Sequence, residues 1–117
     1  MTLSAARMTH AQLAFFVAGL IGKYSLWALD LSRPDPALRR ILVAGWPDFA
    51  ILGRRLMFRE VKTERDGLSA AQRWLGWKLK QAGHDWRVWR PHDYLDGLVE
   101  AELQEIAETP PRRRRPG

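Results

Sequence analysis

Cysteine is absent from the 117 residues. That excludes disulfides and thiolate metal sites, so a metal could be held only by carboxylates, histidines or backbone carbonyls. It also fits an intracellular protein. Histidine is scarce, with three copies, and no Asp or Glu precedes Asp30. Long apolar runs are missing as well: Leu13 to Gly22 is about half the ~20 residues that a membrane-crossing helix needs, so no transmembrane span is expected. Arg7 in front of that run gives it the layout of a secretory leader, whose apolar region covers roughly 7–15 residues. It lacks a convincing small-x-small cleavage site, however, and Leu13, Phe16, Val17 and Leu20 keep the i, i+3, i+4, i+7 spacing of a core-facing helix.

What is present suits a single domain. A hydrophobic content of 46%, with six Trp and four Phe, is enough for one packed core. The formal charge is +6, but Arg112, Arg113, Arg114 and Arg115 supply four of those charges, leaving about +2 on the folded part. The expected division is a folded domain over 1–109 and a basic tail over 110–117. The tail is built of Pro, Arg and Gly that cannot bury apolar surface. It reads either as a solvated end or as an aid to nucleic-acid affinity through counterion release. No internal repeat or low-complexity segment precedes it.

Periodicity predicts the order αβββαβα, an α+β domain with a small mixed sheet flanked by helices. A first helix is expected over about Met8 to Ile21 and a strand over Tyr24 to Leu31. A loop over 32–46 follows, in which Pro36 to Val43 has room for a short helical turn. Pro47 to Leu52 and Leu56 to Lys62 form a hairpin around Gly53, Arg54 and Arg55. Ser69 opens a helix running to about Ala82 with the stripe Ala71, Trp74, Leu75, Leu79 and Ala82, and Gly83 stops it. Asp85 to Arg90 alternates as a strand does, and Pro91 begins one last helix with Leu95, Leu98, Val99, Leu103 and Ile106 on its buried face.

The hairpin brings chemistry together. With a three-residue loop, Leu52 lies opposite Leu56 and, counting outward, Asp48 lies opposite Glu60. Opposed residues on antiparallel strands have Cβ atoms roughly 4.5–5.5 Å apart, so both carboxylates can reach one cation. Lys62 projects from the same face as Glu60, one pleat further on. Hard oxygen ligands suit Mg²⁺ or Mn²⁺. An ammonium within hydrogen-bond reach can orient or deprotonate a water and offset phosphate charge. A two-residue loop would instead set Asp48 opposite Arg59.

The segment GWPDFAILGRRLMFREVKTERDGLSAAQ, Gly45 to Gln72, resembles the VRR-NUC group of PD-(D/E)xK nucleases, and the likeness continues through Gly83 and Val88 to Pro91. The resemblance implies a restriction-endonuclease-like core and a metal-dependent DNA phosphodiesterase, an endonuclease selecting branched or flapped DNA. It implies Asp48 and Glu60 as metal ligands, the Val61 carbonyl as a third, Lys62 as the catalytic lysine and Gln72 as an accessory catalytic residue. A homodimer is the corresponding assembly, two copies addressing both strands about a two-fold axis. The chain departs from the group in two places. An acid usually stands near the start of the first helix, where this chain has His10, and Arg59 occupies a strand face that is normally apolar.

Each of these residues also has a plainer role. Asp48 after Pro47 can be a turn former. Ser69 and Gln72 form an S-x-x-Q capping box, which Gln72 can combine with a place in the site. Trp74 and Trp89 read as core, His84 and His92 as solvated, and Lys62 to Asp66 as a solvated loop. Arg54 and Arg55 look basic enough for DNA, yet five or six strand residues at ~3.3 Å put them nearly 20 Å from Asp48. Arg33, Arg39, Arg40 and Trp46, near the Gly45 end, are the expected DNA contacts. The alternative to an enzyme is a catalytically degenerate nucleic-acid-binding or structural module on the same fold. A third reading is a protein-binding adaptor using the apolar first helix.

Overall fold

The computed structural model describes residues 3–31 and 44–108. Arg33, Arg39, Arg40, the short turn considered for Pro36 to Val43 and the basic tail lie outside the described residues. After a single 3-10 turn, Ala5–Arg7, the elements are α1 His10–Lys23, β1 Trp27–Asp30, β2 Phe49–Leu52, β3 Leu56–Val61, α2 Ala70–Gln81, β4 Asp85–Trp89, α3 Pro91–Leu95 and α4 Leu98–Ile106. The expected α+β class and mixed sheet are found. The single last helix is not: a five-residue α3 ends at Asp96, and Gly97, at φ 87°, is the N-cap of a separate α4. An L side chain rarely adopts that conformation.

The sheet order is β1-β2-β3-β4, with β1, β2 and β3 antiparallel and β4 parallel to β3. A parallel neighbour needs a crossover, and α2 provides it. Side chains alternate, so each face of β3 meets a different layer. Met57 and Val61 join Phe49, Ile51 and Trp89 against Leu13, Val17 and Ile21 of α1 and Val99, Leu103 and Ile106 of α4. Phe58 faces the other way, onto Leu75 and Leu79 of α2, with Trp46, Ala50 and Trp86 packed around them. Gly76 lets α2 approach this closely, since a Cβ there would come within 2.6 Å of the Trp86 ring. Among the described residues no helix is long and apolar enough to cross a membrane.

Arg59 projects into the larger core and is 1% exposed. Its Nη1 donates to Asp85 Oδ1 at 2.9 Å and its Nη2 to Glu102 Oε1 at 3.1 Å, while Cζ lies 5.2 Å from the Trp89 ring centre. Trp89 Nε1 donates to the same Glu102 oxygen at 2.8 Å. The unusual arginine is thus matched by two carboxylates and an aromatic face, which join β3, β4 and α4. Arg54 and Arg55 are structural too: Arg54 Nη2 donates to the Glu105 carbonyl, and Arg55 bridges Asp85 and Glu105.

Removing one member of a buried ion pair strands the other. Arg59→Ala is expected to lower the unfolding free energy by roughly 3–5 kcal/mol in denaturant titration. Arg87→Ala, whose exposed guanidinium touches the same Glu102, should cost less than about 1 kcal/mol. Equal losses would contradict this account of the core.

Candidate active site

The hairpin has the register that the three-residue loop predicts: Leu52 pairs with Leu56 and Phe49 with Arg59. One residue further out, just before β2 begins, Asp48 stands across from Glu60. Both are buried, at 9% and 3% exposure. Asp48 Oδ2 accepts from the Val61 amide at 2.8 Å, a bond that ties the strand end to the neighbouring backbone. The Gly-x-Pro-Asp approach is fixed by Gly45, at φ 97°, where a Cβ would come within 2.5 Å of the Ala71 carbonyl oxygen. Only glycine allows the chain to cross the start of α2 so closely.

Glu60 Oε2 accepts from Gln72 Nε2 at 3.1 Å and lies 4.0 Å from Lys62 Nζ. Gln72 also caps its helix, since its Oε1 accepts from the Ser69 amide at 2.8 Å while its own amide donates to Ser69 Oγ at 3.1 Å. The helix cap and a hydrogen bond to Glu60 thus coexist in one side chain. Glu60 Oε1 is buried and accepts from no donor. Burial pushes the Glu60 carboxyl up to about 8, with the Asp48 charge adding to the rise and the Lys62 charge opposing it.

His10, the first residue of α1, places Nε2 3.3 Å from Asp48 Oδ2. Its position is set by a second capping box, in which Thr9 and Gln12 satisfy each other's amides. The sequence reading missed that box, although Thr-x-x-Gln is the same signal as Ser69-x-x-Gln72. Trp46 is half-buried, with its ring centre 6.4 Å from that of Phe58. The loop after Lys62 is strapped down and not merely solvated. Arg90 Nη1 donates to the Thr63 and Asp66 carbonyls at 2.6 and 2.7 Å, and Glu64 accepts from the His92 amide at 2.7 Å and pairs with its ring. Trp74, expected in the core, is 59% exposed, whereas Trp89 is buried as expected.

Among the described residues no three His, Asp or Glu side chains form a metal cage. The residues nevertheless fit a small hard cation. Mg²⁺ is commonly held by one or two carboxylates with waters and substrate phosphate completing the shell. Two adjacent buried carboxylates, one with an unmatched oxygen, are the donor set that such an ion satisfies. A cavity of about 580 Å³ lies elsewhere, beside Leu52 and Gly53 at the far end of β2. A groove of about 430 Å³ between α1 and Asp30 opens beside His10. Compared with family models, curated proteins and solved structures, the chain matches none.

A carboxyl raised from its ordinary 4.5 to about 8 binds a proton in the folded state that the unfolded chain has released. Its stabilisation is therefore complete below about pH 4.5 and is lost as pH rises through 8. Without divalent cations, the melting temperature should fall between pH 5 and pH 8.5. Glu60→Gln should flatten that fall, and an identical pH profile for both proteins would contradict the pairing.

Proposed function

We propose that this chain is a divalent-metal-dependent phosphodiesterase acting on DNA inside the cell, built on a PD-(D/E)xK-type core. The observation that carries the reading is Glu60: a buried carboxylate across from Asp48, with an unmatched oxygen and an ammonium 4.0 Å from its other oxygen. Asp48, Glu60 and the Val61 carbonyl would hold Mg²⁺ or Mn²⁺. The ion when bound supplies positive charge at the scissile phosphate and makes a water more acidic. Gln72 fixes the Glu60 carboxylate from one side, and the Val61 amide fixes Asp48. Lys62 orients the attacking water and offsets charge developing on the phosphate. Arg33, Arg39, Arg40 and Trp46 are the DNA contacts in this reading, and branched or flapped DNA, addressed by a two-fold dimer, is the substrate.

One observation favours a second reading, a nucleic-acid-binding module that has lost catalysis. His10 sits against Asp48 where a further acid would complete the ligand set. A neutral imidazole is a poor ligand for a hard cation.

Nicking and cleavage of linear, flapped and four-way DNA in Mg²⁺, Mn²⁺ or EDTA separates the two. Cleavage that needs the ion supports the phosphodiesterase. Lys62→Ala should then lower the rate by about 10²–10³-fold, the scale for a group acting on transition-state charge, while leaving ion affinity nearly intact. Asp48→Ala and Glu60→Ala should weaken both. His10→Glu should tighten Mg²⁺ binding or raise activity. Wild type and all four variants with one ion affinity and no cleavage would leave the binding module in its place.

A further inference from the structure

The solvent face of α2 carries two large aromatics that the core does not use. Trp74 and Trp77 are 59% and 56% exposed. On a helix turning about 100° per residue they fall about 60° apart and roughly one turn along. Arg73 stands at one margin of this arc and Lys78 at the other, with Lys80 next to Arg73. No acidic residue occurs anywhere in Ala70–Gln81. The opposite side of the helix is accounted for, with Leu75 and Leu79 buried against Phe58.

We infer that this face binds single-stranded nucleic acid, its bases stacking on Trp74 and Trp77 while Arg73, Lys78 and Lys80 hold the phosphates. Base–aromatic stacking between basic side chains tolerates any sequence, because every base has a π-face. An all-basic, acid-free helix complements a polyanion. A second copy of this chain would set basic helix against basic helix. Gln72, which holds Glu60, lies about 160° round α2 from Trp74, so this face is separate from the proposed active site. As a preference for DNA with an unpaired arm, the inference rests on the phosphodiesterase reading, whereas the stacking face does not. The groove along α1 carries less, since Asp30 and no Lys or Arg is found among its described lining residues.

Binding of fluorescein-labelled oligo-dT and of a blunt duplex is to be measured by anisotropy in EDTA over a range of salt, so that no cleavage is required. Trp74→Ala and Trp77→Ala should each weaken oligo-dT binding by about tenfold or more while leaving duplex binding and the salt slope unchanged. Arg73→Gln with Lys78→Gln should instead reduce the oligo-dT salt slope by about 1.4, the loss of two single-strand phosphate contacts. Circular dichroism should be native for all variants, since these side chains are exposed; for the tryptophans, Phe in place of Ala keeps the ring and should restore most of the affinity. Oligo-dT affinity unaffected by either Ala substitution overturns the inference. So does an equal loss on duplex, or a wild-type dimer in sedimentation that the tryptophan variants dissolve without loss of oligo-dT affinity. Failure of the nuclease reading alone looks different: oligo-dT binds through the tryptophans, and no DNA is cut in any ion.

Discussion

Two carboxylates packed side by side at the buried end of a hairpin repel each other, and a fold that keeps them there must supply compensation from elsewhere. Asp48 receives the Val61 amide and the His10 ring, Glu60 receives the Gln72 amide, and Lys62 lies within ion-pair distance. These partners come from three places: the end of β3 with Val61 and Lys62, the capped start of α1, and the capped start of α2. Even so, one Glu60 oxygen is left unmatched, and burial beside Asp48 pushes its carboxyl up to about 8. The rest of the domain can be viewed as the frame that makes this arrangement affordable.

That frame is strong where the site is weak. On the opposite face of β3, Arg59 is enclosed by Asp85, Glu102 and Trp89, so the one buried cation there is fully matched. The strand therefore carries charge on both faces, compensated on one and held in tension on the other. Perturbed titratable groups of this kind cluster at functional sites. The loop that leads from Lys62 towards α2 is tied down by Arg90 at Thr63 and by His92 at Glu64.

The hairpin register was legible in the sequence because Gly-Arg-Arg is a short turn between two apolar runs and side-chain alternation then determines the pairs. Both capped helices were open to the same reasoning, although only Ser69–Gln72 was read that way. Three features were hidden. Trp74 has the spacing of a core residue, but Gly76 lets α2 dock with Trp86 beneath it, turning Trp74 outward. Gly97 sits between apolar residues at helical spacing, and only its left-handed backbone divides the last helix in two. Arg59 cannot be understood from β3 alone, since its partners come from β4 and α4. Of the candidate residues, Asp48, Glu60 and Lys62 come together as the counting suggested; Gln72, Val61 (through its amide) and His10, singled out for the site only by the resemblance, touch the same two carboxylates, whereas Arg33, Arg39 and Arg40 fall outside the described residues.

If the cation proposed for the Asp48–Glu60 pair binds there, it must displace the proton that burial favours on Glu60. Calorimetric titration of Mn²⁺ at pH 7, repeated in two buffers of different ionisation enthalpy, tests it directly, because a ligand must shed its proton to bind. The expected result is one Mn²⁺ per chain with close to one proton released, the proton disappearing in Glu60→Gln along with most of the affinity. No saturable Mn²⁺ binding, or binding with the same proton count in Glu60→Gln, would contradict it.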